Sequence, residues 1–310
     1  MKILIISPAW GPLCVGLFTG PVLDSHAAAL EGLDADVRYI CHTDDPARVH
    51  DAVKAKTGRQ VMTMSVPPSK GYARFSDANA QALRLAQNGE VVFFLNADII
   101  VSREVFRAVI NRIESGKRAV ICAGTRTLPK SPPPIGVSAS DLHAWTLDNA
   151  HPITVSNYHK TGNSRLPYVV YFRNGDAVCM RGFHLHPLAI VMDRDLGFSS
   201  TPDWDIASNY TLDEIHVVTR ADELALAEIS EPGKKLPMGD KPFTADDVIA
   251  WTSRRTIGFH WWLFSHRIQL RGDGVFDDEA FVSECLAAKG KREVKLDETT
   301  HVHRRVALGC

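Results

Sequence analysis

The chain of 310 residues carries 35 Lys and Arg against 36 Asp and Glu, a formal net charge of -1, with 45% hydrophobic and 23% charged residues. This balance excludes a chain too polar to fold, and it argues against nucleic acid or an anionic membrane as the main partner, since either calls for a basic excess. At this length one large domain or two small ones can bury a sizeable core.

Residues 2–6 are apolar and β-branched and read as a first buried strand, too short a run for a secretory signal core. Neither this run nor 91–95 approaches the ~18–20 apolar residues that cross a bilayer, so no transmembrane segment is expected. Residues 19–33 place Val22, Leu23, Ala27 and Leu30 at helical spacing, 37–41 form a second strand, and 46–56 form a short helix opening on Pro46. Residues 60–66 alternate as a strand and stop at Pro67 and Pro68. Phe75, Ala78, Ala82, Leu85 and Ala86 make a helical stripe that ends at Asn88 and Gly89. The unbroken apolar run 91–95 marks a strand covered on both faces. Ser102 would cap the next helix, with Val105, Phe106, Val109, Ile110 and Ile113 on its inner face; Gly116 ends it and 119–123 is a further strand. Strands alternating with helices imply a parallel sheet in a doubly wound α/β architecture.

Pro129, Pro132, Pro133 and Pro134 then break the pattern. From there to about Tyr168 periodicity is lost, and a long excursion over the sheet edge is expected, functional because structureless loops of this length are uncommon. Order returns at 168–172; 215–218 reads as a strand, 221–229 as a helix, 231–242 as a loop, and 244–255 as a helix capped by Thr244 with Asp246 and Asp247 in its first turn. Cys14, Cys41, Cys122, Cys179, Cys285 and Cys310 show no CxxC spacing, which argues against a zinc knuckle or a disulfide scaffold. A cytoplasmic protein with reduced thiols is the simplest reading.

The sharpest chemical signal lies between Glu90 and Asp98, where a buried strand runs directly into Asn96, Ala97 and Asp98. In open α/β sheets ligands bind beyond the carboxyl ends of strands. Asp98 could coordinate Mg²⁺ or Mn²⁺, hard cations that take a carboxylate together with substrate phosphate oxygens, and Asn96 could hydrogen-bond a sugar hydroxyl. The plainer reading is a turn or a cap for the following helix.

Residues 71–98 carry Arg74 and Asn79 on a helix, then Gly89, the hydrophobic strand and Asn96-Ala97-Asp98. In this they resemble the centre of family-2-like, nucleotide-sugar-dependent glycosyltransferases of the GT-A fold. There a helix with an early Arg/Asn pair precedes Gly, a hydrophobic strand and an Asp-x-Asp motif. Asn96 stands here in place of the motif's first Asp, and the resemblance covers residues 1–125. It implies a GT-A-like doubly wound, mostly parallel, Rossmann-like sheet flanked by helices, with an acceptor-side C-terminal elaboration. Residues 1–128 would be the nucleotide-sugar-binding half and 129–310 the acceptor-binding half of one globular unit. It also implies that Asp98 binds the Mn²⁺ or Mg²⁺ that bridges the donor phosphates and that Asn96 contacts the ribose or sugar. The loop holding Pro8 and Trp10 would lie near the nucleobase, Asp44 or Asp45 would reach the base or ribose, and Arg74 and Asn79 would approach the phosphates or sugar. Plainer roles stay open: Trp10 in the core, Asp45 as the cap of the helix at Pro46, Arg74 as a solvated side chain.

In the second half, His184 and His186 would share a face if extended, and imidazole suits Mn²⁺. The resemblance implies that either histidine could join Asp98 at the metal; the alternative is two ordinary polar histidines before Pro187. Asp203 and Asp205 match in order and position the acidic pair of inverting family members, one of which takes the acceptor hydroxyl's proton. Trp204 between them would stack a sugar ring, and Asp203 is the preferred base; as a plain turn, Asp203 would be a cap. The aromatic stretch 254–267 reads as a helix packed on the sheet, as an acceptor platform, or as an amphipathic element touching a membrane surface. Arg254 and Arg255 could meet donor phosphates or solvent.

No G-x-G-x-x-G follows the first strand, and neither a P-loop nor a G-x-S-x-G is present. No nucleic-acid-binding module is recognisable. The expected activity is a metal-assisted, inverting transfer of a sugar from a nucleoside-diphosphate donor to a carbohydrate or other hydroxyl acceptor. The alternatives are a nucleotidyltransferase that makes nucleotide sugars and a catalytically silent sugar- or nucleotide-binding protein on the same fold.

Overall fold

The computed structural model of the chain describes residues 1–196, 204–207, 209–231, 233, 237–252 and 258–299, without the side chains of 204, 205 and 291–299. The first half runs β1 (Lys2–Ile6), α1 (Pro12–Leu17), a π-helical turn (Phe18–Val22), α2 (Leu23–Leu30), β2 (Asp36–His42), α3 (Pro46–Thr57), β3 (Gln60–Met64), α4 (Tyr72–Leu83), β4 (Val91–Phe94), β5 (Ile99–Val101), α5 (Val105–Glu114), β6 (Ala119–Cys122) and β7 (Gly124–Thr127). The second half runs α6 (Ala139–Asp148), α7 (Pro152–Val155), β8 (Val169–Asn174), β9 (Ala177–Gly182), β10 (His186–Val191), α8 (Trp204–Ala207), β11 (Ile215–Val217), β12 (Leu226–Ile229), α9 (Ala245–Thr252), α10 (Gly258–Ser265), β13 (Ile268–Arg271) and α11 (Asp278–Thr299).

The expected mostly parallel α/β sheet is present, with strand order β11-β6-β10-β4-β1-β2-β3. Strands β1, β2, β3 and β4 are mutually parallel, β11 is parallel to β6, and β10 is antiparallel to both of its neighbours. The two-residue period of a strand sends Ile3, Ile5 and Phe93 to one face and Leu4, Ile6, Val92 and Phe94 to the other. The first face packs on Phe18, Val22, Phe106 and Val109, and the second on Ala82, Leu83 and residues of β8 and β9. Two smaller sheets complete the fold, β5-β12-β7 and the antiparallel β13-β9-β8.

Several expectations are corrected. The run Pro12–Leu30, 19 residues at mean hydropathy 1.3, is long and apolar enough to cross a bilayer by length and composition, contrary to the expectation that no segment reaches that length. Small and polar residues interrupt its apolar runs, which hides it from a search for unbroken stretches. Its Phe18, Val22, Leu23 and Leu30 side chains lie in the core, and Gly20 leaves helical geometry. The excursion after Leu128 holds the helices α6 and α7. Residues 221–229 do not form a helix: Leu226 and Ala227 are buried in β12, between β5 and β7. Ser102 does not cap α5; its hydroxyl accepts the Ala225 amide at 3.1 Å. Helix α10 packs on β9, and Phe264 stacks on Phe183 at 4.0 Å, so the packed-helix reading of that stretch holds for its described residues. Arg254 and Arg255 lie outside the described residues.

Candidate functional site

Parallel pairing brings the carboxyl ends of β1, β2, β3 and β4 to one rim, and the antiparallel β10 begins on that same rim. Main-chain and side-chain bonds stitch it together. Leu95 N donates to Ile6 O at 3.0 Å, Ser7 Oγ donates to Leu95 O at 2.6 Å, and Ala9 N donates to His42 O at 2.8 Å. His186 Nε2 lies 2.5 Å from Phe94 O. The Asn96–Asp98 turn leaves this rim. Ile99 N closes it onto Asn96 O at 3.0 Å, and Asp98 O accepts Ile229 N at 2.8 Å, which ties the turn to β12. Both side chains are half-buried.

The donor residues expected from sequence are placed as follows. Pro8 is buried, and Trp10 is half-buried with its ring edge-on to Phe75 at 6.2 Å. Both Asp44 oxygens accept the Gly11 amide, at 3.1 and 2.9 Å, fastening the loop after β1 to the end of β2. Gly11 sits at φ +77°, a conformation that favours glycine. Asp45 is the N-cap of α3, accepting from Arg48 N, which is the plainer of its two readings. Arg74 Nε donates to Ser69 O at 2.6 Å. Asn79 is buried in α4 and bonds back to Phe75 O at 2.9 Å. Asp203 and the Asp205 side chain lie outside the described residues; the backbone of Asp205 belongs to α8, which packs on β10.

Beyond the turn lies a cavity of about 150 Å³ lined by Ile99, Arg126, Asn157, His184, His186 and Glu228, with Tyr168 and Tyr171 also in its wall. His184 occupies the turn before β10 rather than a strand, so the expectation that an extended segment would aim both histidines one way is corrected; the cavity nonetheless gathers both. Arg126 and Glu228 are register partners on β7 and β12, and their side chains meet at 2.7 Å. Burial alone would weaken the Arg126 charge, but Glu228, Tyr168 and Asp98 outweigh it and hold the guanidinium above its ordinary value. Burial pushes the Tyr171 phenol up, which keeps it neutral. Sequence reasoning missed Arg126, Asn157 and Glu228. The alternation of Gly124, Thr125, Arg126 and Thr127 could have revealed β7, but nothing local marks Asn157.

Among the described residues no group of three or more His, Cys, Asp and Glu side chains is placed to hold a metal ion. The His186 Nε2 contact with Phe94 O occupies one imidazole nitrogen, and the His184 ring packs edge-on to Trp251 at 5.4 Å. The described donors therefore do not by themselves complete a cation site, and Asp98 offers the hard oxygen that Mg²⁺ or Mn²⁺ takes.

No protein-family model matches the chain, and no curated protein matches it by sequence. Among solved structures it is similar to S. aureus TarS 1-349 in complex with UDP-GlcNAc, at 13% identity and a TM-score of 0.44, over 99% of this chain and 77% of that one. Against another S. aureus TarS structure the match spans 42% of this chain and 23% of that one, at 14% identity and a TM-score of 0.32. A 4-diphosphocytidyl-2C-methyl-D-erythritol synthase from Anaerococcus prevotii matches at 15% identity and a TM-score of 0.30, over 42% of this chain and 56% of that one. At these values the likenesses assign neither substrate nor chemistry to this chain.

Proposed function

We propose that this chain is a glycosyltransferase that moves a sugar from a nucleoside-diphosphate donor to a hydroxyl acceptor. The observation that carries this reading is a cavity lined by Arg126, His184, His186 and Glu228 that reaches Ile99, the residue directly after the Asn96–Asp98 turn, with Asp98 tied through its carbonyl to β12. A donor would lie across the ends of β1, β2 and β4, with Pro8 and Trp10 beside its base and its sugar directed past Asn96 toward the cavity. Ordering both substrates on a rigid rim is the main catalytic resource such a site offers. Asp203 or Asp205 is the proposed base for the attacking hydroxyl, and Asp98 is the proposed ligand of Mn²⁺ or Mg²⁺, which would supply positive charge to the phosphates. A cytoplasmic setting fits the free thiols of Cys14, Cys41, Cys122, Cys179 and Cys285.

The test is turnover of a nucleoside-diphosphate-sugar panel by the full chain, with and without EDTA, alongside Asp98→Ala. The variant should lose roughly 100-fold or more in kcat/KM while its thermal midpoint stays that of the parent. Full activity of Asp98→Ala would remove the site. Consumption of nucleoside triphosphate with a sugar phosphate would instead identify a nucleotidyltransferase, and donor binding without turnover a silent binding protein.

A further inference from the structure

β3 is the outermost strand of the seven-stranded sheet. It pairs with β2 residue for residue, from Arg38 with Gln60 to His42 with Met64, and no bulge interrupts the register. Met64 O accepts Thr43 N at 2.9 Å, so Met64 turns its main-chain groups toward β2. Main-chain groups alternate in direction along a strand. Gln60 and Met62 therefore face β2 as well, and Val61 and Thr63 present their N–H and C=O groups outward. Among the described residues no main-chain hydrogen bond meets these outward groups. Edge strands are ordinarily kept from pairing by a charge, a proline, a bulge or shortness. Residues 60–66 contain no charged residue, no proline and no glycine, and Met62 at the centre of β3 is 48% exposed. The opposite edge is guarded: β11 has three residues, with Asp213 and Glu214 before it and Arg220 after it.

The β3 edge is complementary to itself. An antiparallel copy centred on Met62 sets Val61 of one chain opposite Thr63 of the other, and this happens twice. Both residues turn their main-chain groups outward, so each of these pairs exchanges two hydrogen bonds. Met62 then faces Met62, and Gln60 faces Met64, at the intervening positions where opposed side chains come closest. No charge opposes a charge anywhere along the strand. Helix α3, which packs on β3, exposes Arg48, Asp51 and Lys54, so the flanking surface carries both signs and presents no like-charged block to its own copy. A two-fold pair satisfies both edges at once and closes, whereas the guarded β11 edge offers no second site for growth.

We propose that the chain pairs with a second copy of itself through β3, antiparallel and centred on Met62, joining two seven-stranded sheets into one. Antiparallel pairing points the two Asn96–Asp98 rims in opposite directions, so it neither covers nor completes the site described above. The pairing therefore stands apart from the glycosyltransferase reading. One short strand lies at the small end of specific interfaces, below about 1,200 Å² in total, so the pair is weak and reversible.

The experiment follows the full chain by analytical ultracentrifugation from about 2 to about 200 µM. Its mass should rise with concentration from one copy toward two and level off there. Thr63→Pro removes one outward donor from each copy, at a position where an edge strand tolerates proline, and should weaken the pair roughly tenfold or more. Met62→Lys sets two ammonium groups against each other at the centre of the pair and should weaken it by a similar factor. Thermal midpoints check the fold of each variant. If Thr63→Pro does not fold, Met62→Lys decides, because that side chain is half-exposed in the single chain. A gain of signal comes from Met62→Cys with oxidised glutathione as oxidant. Opposed Cα atoms at such a position lie about 4.5 Å apart, within disulfide reach, so a 62–62 link should form and be found by peptide mass spectrometry. Gln60→Cys, which faces Met64 rather than itself, should form no 60–60 link. A single copy at every concentration overturns the pair, whether the edge stays open or takes another protein's strand. A dimer indifferent to both Thr63→Pro and Met62→Lys, or a mass that grows past two copies, overturns it as well.

Discussion

Arg181 and Asp278 bury an ion pair at side-chain exposures of 1% and 0%. Arg181 Nε donates to Asp278 Oδ2 at 2.7 Å, and Arg267 grips the same carboxylate through Nε at 2.8 Å and Nη2 at 2.7 Å. Burial would raise the Asp278 carboxyl, but the two guanidinium groups outweigh it and hold it below the usual carboxylate range. Such a pair is costly to break from one side, because a lone buried charge is left behind. Asp278→Ala should lower stability by about 3–5 kcal/mol in denaturant unfolding at neutral pH. Arg181→Met combined with Asp278→Leu should recover most of that loss. A single-variant loss under about 1 kcal/mol would mean that the site re-solvates. The pair fastens the start of α11 to β9, so its role is structural.

Among the elements, α7 and the loop after it decide the cavity's shape. Gly162 packs so closely on the main chain of α7's exit that a Cβ there would collide with the Ser156 carbonyl oxygen and crowd the Tyr158 amide. Backbone cannot yield as a flexible side chain can, so Gly162→Ala should cost about 1–3 kcal/mol or more and displace Asn157. A lowered thermal midpoint with a weakened cavity would be the expected result; an unchanged midpoint would show that the loop slides without loss. Two elements missed from sequence did carry local signals. Ser138 accepts the Asp141 amide at 3.2 Å, an ordinary helix cap for α6. Asn174 and Gly175 mark the β8–β9 hairpin, with Gly175 at φ +58°. Strand β12 carried the opposite signal, since Leu-Ala-Glu favours helix. It is a strand because β5 and β7 pair with it on both sides, and tertiary pairing outweighs so small a propensity.

Over the whole molecule, buried histidines set the response to acid. Burial lowers His26 from 6.5 to about 3 and His143 from 6.5 to about 4. In both cases the unfolded chain takes up the proton first as pH falls, so stability is full above about pH 6.5 and declines below it. Each histidine contributes a slope of about 1.4 kcal/mol per pH unit within its window. Glu223 adds a lower step: His216 and Arg112 outweigh its burial and hold it at about 2, so its contribution is lost only as pH falls below its unfolded value of 4.5. Burial also lowers His42 and His159, so His26→Phe should remove part of the decline between pH 6.5 and 4, measured as unfolding free energy against pH. An unchanged slope would show that His26 takes its proton in the folded state.

The sequence by itself determined the sheet and the position of the rim. The unbroken apolar runs of β1 and β4 required strands covered on both faces, and the helical stripes between them required parallel connections. The polar turn at Asn96 and Asp98 was legible for the same reason, since an apolar strand that stops abruptly must open at a sheet edge. Only tertiary structure decided what faces that turn. Arg126, Asn157, His184 and Glu228 come from β7, the end of α7, the turn before β10, and β12, and no spacing along the chain relates them. Their meeting depends on β10 entering the sheet between β4 and β6 and on β12 pairing between β5 and β7. Local periodicity reports which face of a segment is buried; it carries no information about which distant segment will cover it.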